Sequence, residues 1–274
     1  MNSVMGHTGL DWTGEANGNH LVIYQDADTQ RSYTFKAVNE ATITFGQGLK
    51  ALYDWRKGDV LAIFSPNSID TPVVTWGTHW AGGVVSPANP AYTAEELAFQ
   101  LKNSGAKALA TQLAVLPVAE EAARSVGLAQ DRIFLIGDER HPQSKVKHFT
   151  SVRNISGASR YRKTKVDPRK DLAFLVYSSG TTGLPKGVRL SHRNIVANNF
   201  QLAALEGNSV SWNGNADGKG DRILAFLPFY HIYGKLFPFE PGLVRVNKLT
   251  GIRVECSPAS SLIPRVPPCG YGQI

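Results

Sequence analysis

Sulfur is scarce in this chain. Its 274 residues hold two methionines and two cysteines, Cys256 and Cys269, both within the last 19 positions. That rules out a disulfide framework, and nothing resembles paired Cys/His zinc spacing, so a reducing compartment is expected. Long apolar runs are also missing: none nears the ~20 residues that a bilayer-crossing helix needs. Residues 1–15 carry Asp11 and Glu15 and have no apolar segment of the secretory kind, so no leader is expected and the cytoplasm is the default address. The last residues, Gly272, Gln273 and Ile274, do not form a peroxisomal tripeptide. Acidic residues run short in one place. Nine of the 29 Lys and Arg lie between Lys145 and Lys170 against a single acid, Asp167, within a net charge of +7. Such a stretch can attract nucleic acid, a phosphorylated cofactor or a membrane surface. Without a nucleic-acid motif or interleaved aromatics it reads as a solvated connecting loop.

What is present suits a folded globular domain: 42% apolar and 19% charged residues. Val60-Leu61-Ala62-Ile63-Phe64 is a continuous apolar run ended by Ser65-Pro66-Asn67, which predicts a buried strand. A helix over 71–80 follows, then a short strand at Val84-Val85 stopped by Pro87 and Pro90. Thr93 and Glu96 form a capping box ahead of the stripe Ala94, Leu97, Ala98 and Leu101, and Gly105 closes that helix. Further strands are expected at 108–110, 132–136, 172–177, 188–190 and 223–227, with helices at 117–125 and from Ser191 to about residue 205. Alternation with short connections predicts an α/β fold, mainly parallel sheets flanked by helices. After Gly234 the pattern fades. Residues 235–274 hold six of the 15 prolines and show no sustained period, apart from a possible hairpin over 243–254.

The stretch Tyr177-Ser178-Ser179-Gly180-Thr181-Thr182-Gly183-Leu184-Pro185-Lys186-Gly187-Val188 carries the chemistry. A triphosphate needs many donors packed around its oxygens. Glycines let backbone N–H groups approach. Ser178, Ser179, Thr181 and Thr182 add hydroxyls, and Lys186 adds a mobile charge. It is not a Walker loop: Gly187 follows the lysine where a magnesium-binding hydroxyl would stand.

This string resembles the phosphate-loop signature of the adenylate-forming superfamily, which includes acyl-CoA synthetases, 4-coumarate–CoA ligases, luciferases and peptide-synthetase adenylation domains. Gly58-Asp59-Val60 opening a strand is similar to the family's early strand. Ala81-Gly82-Gly83-Val84-Val85-Ser86-Pro87-Ala88-Asn89-Pro90 and Leu227-Pro228-Phe229-Tyr230-His231-Ile232-Tyr233-Gly234 resemble 4-coumarate–CoA ligase-like members. The likeness implies the front portion of the large N-terminal domain over residues 1–234, a divergent tail over 235–274, and no small C-terminal domain. It implies a ligase that joins a carboxylate to ATP, releasing pyrophosphate, and then passes the acyl group to the thiol of CoA. Ser178, Ser179, Gly180, Thr181, Thr182, Gly183 and Lys186 would contact the ATP phosphates, with Mg2+ sharing their charge. His231 would stand near the carboxylate and α-phosphate as the catalytic residue, and Tyr233 would line the acyl pocket. His192 is expected to serve the first turn of its helix. No residue is assigned as a metal ligand.

The family's later motifs are missing: a Tyr-Gly-x-Thr-Glu, a Thr-Gly-Asp, and the lysine of the small domain. The chain is therefore expected to be inactive or nearly so, with a non-catalytic remnant as the alternative.

Overall fold

The computed structural model describes residues 22–138, 146–178, 185–206, 222–234 and 253–256. An antiparallel pair, β1 (Val22–Asp26) and β2 (Ser32–Thr34), leads into a long helix, α1 (Phe35–Tyr53). Strand–helix units then repeat: β3 (Val60–Phe64), α2 (Thr71–Trp80), β4 (Val84–Ala88), α3 (Ala94–Ser104), β5 (Ala106–Thr111), α4 (Leu116–Ser125) and β6 (Ile133–Leu135). After them come β7 (Lys147–His148), β8 (Leu172–Ser178), β9 (Lys186–Ser191), α5 (His192–Glu206), β10 (Arg222–Ala225), a helical turn at Ile232–Gly234, and β11 (Arg253–Cys256).

The strands form two sheets. The larger has the order β7-β6-β5-β3-β4-β8-β9, and every neighbouring pair is parallel except β8–β9. The smaller has the order β10-β11-β1-β2. The expected α/β class with mainly parallel strands is what the chain adopts.

The apolar run of β3 explains its central place. Alternate side chains of a strand face opposite ways. Leu61 and Ile63 join one core with Phe45, Trp76, Phe134 and Phe149 from α1, α2 and beyond. Ala62 and Phe64 join a second core with Leu97, Leu101, Leu116 and Ala119 from α3 and α4. A strand covered on both faces needs apolar residues at every position. Helix α3 matches its reading closely. The Thr93 hydroxyl accepts from the Glu96 N–H at 3.3 Å, the Glu96 carboxylate accepts from the Thr93 N–H at 2.8 Å, and Gly105 ends the helix at φ 66°.

Three expectations need amendment. First, β4 runs through Pro87 to Ala88 instead of stopping there. It meets β8 only at Val85↔Phe174, so its Pro87 end is paired on the β3 side alone, and the missing N–H is tolerated. Second, the basic stretch is not simply a solvated connection. It contributes β7 to the sheet, and Phe149, Val152 and Ala158 are buried. Phe45 stands edge-on to Phe134 and to Phe149, with ring centroids 5.9 and 6.1 Å away. Those apolar residues are too widely spaced among charges to show a period. Third, β11 runs parallel between β10 and β1, with Tyr24↔Val254 and Ile223↔Val254 in register. Most of the hairpin expected over 243–254 lies outside the described residues.

A buried ion pair binds the two sheets. Asp70, at the start of α2, is fully buried. Its Oδ1 accepts from Arg31 at 3.0 Å and from the Tyr33 hydroxyl at 2.7 Å; its Oδ2 accepts from Arg31 at 2.9 Å and from the Gly137 N–H at 2.8 Å. Arg31 also reaches Asp138 at 2.6 Å. Arg31 and Tyr33 flank or belong to β2 in the small sheet, and Gly137 follows β6 in the large one.

Candidate active site

Strands β3, β4 and β8 point their C-terminal ends the same way, and the site forms there, as open α/β sheets favour. The informative loop leaves β8 at Ser178 and returns as β9 at Lys186. These two residues are cross-strand partners, Ser178↔Lys186, with Tyr177↔Gly187 next to them. The chain on either side of the loop is thus joined by an antiparallel two-stranded base. Ser179, Gly180, Thr181, Thr182 and Gly183 lie outside the described residues.

Tyr177 anchors that base. Its hydroxyl donates to Asn103 Oδ1 on α3 at 2.5 Å. Gly187 sits against the ring: a Cβ there would lie 3.2 Å from Tyr177 Cζ. Burial, reinforced by Tyr92, pushes the Tyr177 hydroxyl above its ordinary value. It is therefore a neutral donor at physiological pH.

His231 arrives from the other side, on the turn after β10. Asn67, in the turn that ends β3, holds this segment with three hydrogen bonds. Its Nδ2 donates to the carbonyls of Ala225 at 2.9 Å and Leu227 at 2.8 Å, and its Oδ1 accepts from the Phe229 N–H at 2.8 Å. The turn closes tightly: a Cβ on Gly234 would come within 2.3 Å of the Pro228 carbonyl oxygen. The Tyr233 N–H donates to His231 Nδ1 at 3.3 Å. With Nδ1 accepting, the neutral imidazole carries its proton on Nε2. His231 thus presents an N–H donor. Replacing Asn67 with alanine should cost about 2 kcal/mol, because two carbonyls and an N–H lose their partner. Limited proteolysis within residues 222–234 should accelerate in step with a lower melting temperature.

Between the hairpin base and the His231 turn lies a cavity of about 510 Å3. Ser178, Tyr177, Tyr92, Tyr230, His231 and Ile232 are among its lining residues. The structure therefore brings Ser178 and His231 to one space. Tyr233 is 58% exposed and is not among the lining residues, whereas its neighbours Tyr230 and Ile232 are. Lys186 is exposed on the first position of β9. Asn67, Tyr92 and Tyr230 stand in the strand-ending turn and in the family-like segments of the sequence without a role of their own there, and Asn103 has no sequence signal at all. An asparagine directly after a strand-ending Ser-Pro was the one available signal, and it is easily taken for turn chemistry alone.

Below the hairpin, α5 starts with a capping box built on asparagine. The Ser191 hydroxyl accepts from the Asn194 N–H at 3.2 Å, and Asn194 Oδ1 accepts from Ser191 in return. His192, next in the chain, is buried and stands edge-on to His79, ring centroids 5.2 Å apart. His79 Nε2 bonds the Ala173 carbonyl at 2.9 Å, which requires a proton on that nitrogen. Burial pulls His192 down to about 4; nearby Asp171 opposes this, and Lys163 and Lys57 add to it. It is a neutral packing residue of the first turn, in line with the structural role expected for it.

The sequence pattern of the AMP-binding enzyme family matches residues 10–244. This chain belongs to the AMP-binding enzyme family. Its curated relatives include a probable 4-coumarate–CoA ligase of Dictyostelium discoideum, 34% identical over 224 residues, which span 78% of this chain and 39% of that protein. A peroxisomal OPC-8:0-CoA ligase of Arabidopsis thaliana is 33% identical over 226 residues, 81% of this chain and 38% of that one. Among solved structures, a long-chain-fatty-acid–CoA ligase from Archaeoglobus fulgidus superposes with a TM-score of 0.72 at 25% identity, covering 93% of this chain and 47% of that one. A red-emitting luciferase from Phrixothrix hirtus gives a TM-score of 0.74 at 20% identity, a likeness of fold. This AMP-binding chain thus spans about two fifths of the length of these curated relatives. Its relatives are acyl- and 4-coumarate–CoA ligases, and the described residues match the front of their N-terminal domain.

Proposed function

We propose that this chain is the phosphate-holding front of an ATP-dependent acyl- or aryl-CoA ligase. One observation carries the reading: the hairpin base with Ser178 and the turn with His231 share a single cavity. The donor set suits a polyanion. The Ser178 hydroxyl and the Lys186 ammonium flank the loop's two ends, and residues 179–183 supply further hydroxyls and glycine amides. In this reading these groups hold the β- and γ-phosphates of ATP as charge builds on the departing pyrophosphate. His231 donates its Nε2 proton as a hydrogen bond toward the carboxylate and α-phosphate oxygens. Among the described residues no group of three His, Cys, Asp or Glu stands close enough to hold a metal ion. Magnesium would then enter on the nucleotide's own oxygens. The cavity's apolar and aromatic lining suits an acyl or aryl carboxylic acid, and CoA would be the second substrate. We place this activity in the cytosol, in keeping with the cysteine-poor composition.

Titration with ATP tests the phosphate assignment. A Lys186→Ala/Thr182→Ala double variant should bind ATP at least roughly tenfold more weakly, since a charge-assisted and a neutral hydrogen bond are both lost. An unchanged affinity would remove the assignment. A second reading is a nucleotide-binding remnant without turnover, since among the described residues none is assigned to hold the base or ribose. Phosphate contacts alone do not place an α-phosphate against a carboxylate; base and ribose must also be held. Pyrophosphate release with fatty and aromatic acids separates the two. Binding of ATP with no release is the result we expect of this chain.

A further inference from the structure

The basic stretch carries a second inference, independent of the ligase reading. From Tyr161 to Asp167 the chain forms neither helix nor strand, a turn follows at 168–170, and the segment lies against the ends of α1 and α2. It is held from several sides. The Arg162 carbonyl accepts from Lys50 Nζ at 2.6 Å. Thr164 donates its N–H to Trp80 O at 3.0 Å and its hydroxyl to Ala81 O at 2.9 Å. The Pro168 carbonyl accepts from the Arg193 N–H at 2.8 Å. Gly82, at φ +85°, lets Thr164 dock: a Cβ there would approach Thr164 Cγ2 within 2.5 Å. The segment is a strap fastened to the domain.

Most of its cations face outward: Arg160, Arg162, Lys165, Arg169 and Lys170 are exposed. Lys163 has an exposed residue surface, but burial of its ammonium, which acts on His192, lowers its pKa, and it is left out of the row. The acids beside them are few and engaged: Asp171 pairs with Lys57 at 2.6 Å, and Asp167 lies 4.0 Å from Lys170. Arg160 rests on the ring of its neighbour Tyr161, and Arg162 donates to the Ser159 carbonyl. These contacts neutralise no charge. A fixed row of cations meets an anionic surface without a further ordering cost.

We propose that this strap is a docking surface for an anionic phospholipid bilayer. A bilayer reads the sum of the charge and not its spacing, at roughly fivefold in affinity per cation. A single-stranded nucleic acid would call for exposed aromatic platforms, and a duplex for a helix or ribbon shaped to a groove. The strap offers one tyrosine, half-buried and covered by Arg160, and neither a helix nor a strand ribbon. Among the described residues no helix is long and apolar enough to cross a membrane, so this contact would be peripheral.

The test is sedimentation of the full chain with vesicles, either pure phosphatidylcholine or with phosphatidylserine replacing about a third of it. The chain should bind the anionic vesicles, ignore the neutral ones, and release as salt rises. An Arg162→Gln/Lys165→Gln/Arg169→Gln/Lys170→Gln variant should bind roughly a hundredfold or more weakly. A Lys36→Gln/Lys102→Gln/Arg124→Gln/Lys147→Gln variant, with the same net charge, should bind nearly as well as the unmodified chain. Replacing Arg160, Arg162 and Arg169 with lysine should preserve binding. Equal loss in both glutamine variants, equal affinity for neutral vesicles, or retention on single-stranded RNA in place of vesicles would each overturn the proposal.

Discussion

Replacing Asp70 with alanine should destabilise the domain by about 3–5 kcal/mol, as expected when one member of a buried ion pair is removed. The size follows from what would be stranded. Asp70 is fully buried and accepts from both ends of the Arg31 guanidinium, from the Tyr33 hydroxyl and from the Gly137 N–H. Burial, with Asp70 next in importance, holds the Tyr33 hydroxyl far above its ordinary value, so it stays a neutral donor at any practical pH. Alanine leaves all these donors without an acceptor in a place water reaches poorly. Asp70→Asn keeps one acceptor and should fall between the two. A paired Asp70→Leu/Arg31→Met change should recover part of the loss, because the desolvated charges go together. Urea unfolding measures all three. A loss under about 1 kcal/mol for the alanine variant would show the network to be dispensable.

Acid should weaken the fold well above the usual carboxylate range, through His192. Its value falls from 6.5 to about 4 in the folded chain, chiefly through burial. Above pH 6.5 the imidazole is neutral folded and unfolded, and it contributes no pH dependence. Between 6.5 and about 4 the unfolded chain binds a proton that the folded chain refuses. Stability therefore declines as pH falls through that window, and the decline is complete below about 4. The full span corresponds to an upper bound on the order of 3 kcal/mol. Asp171 acts lower on the scale. Partial burial would raise it, but the hydrogen bond from Lys57 and another from the Asp167 N–H outweigh that and hold it below its usual value of 3.8. Its stabilisation is present above 3.8 and is lost below. Melting temperatures from pH 7 to pH 4.5 separate the two groups. A His192→Gln variant should show a flatter profile there, and an unchanged slope would refute the assignment.

Local order was legible where the signal lay within a few residues. The capping box of α3, the apolar run of β3 and the Gly-rich loop after β8 each declared themselves in sequence. Contacts between distant segments did not. Asn67 meets a turn about 160 positions later, and Arg31 meets an acid 39 residues on; no period or motif announces such pairs. Pro87 suggested an end to β4 because proline breaks ladders, yet one side of that strand end has no ladder to break. The basic stretch from Lys145 to Lys170 hid for the opposite reason. Its abundant charge masked the few apolar residues, Phe149 and Val152 among them, that seat it in the core. In the candidate site, motif residues were readable from type and order, while the groups that position them, Asn67 and Asn103, were ordinary polar residues without local distinction.

The turn at 65–70 carries both Asn67 and Asp70, three positions apart. One grips the segment that bears His231; the other clasps the small sheet to the large. Six residues therefore serve as a linchpin: slackening them to let the sheets part would also swing the imidazole away from the hairpin. Integrity of the assembly and the geometry of the candidate site would fail together, at one place, under heat, acid or mutation.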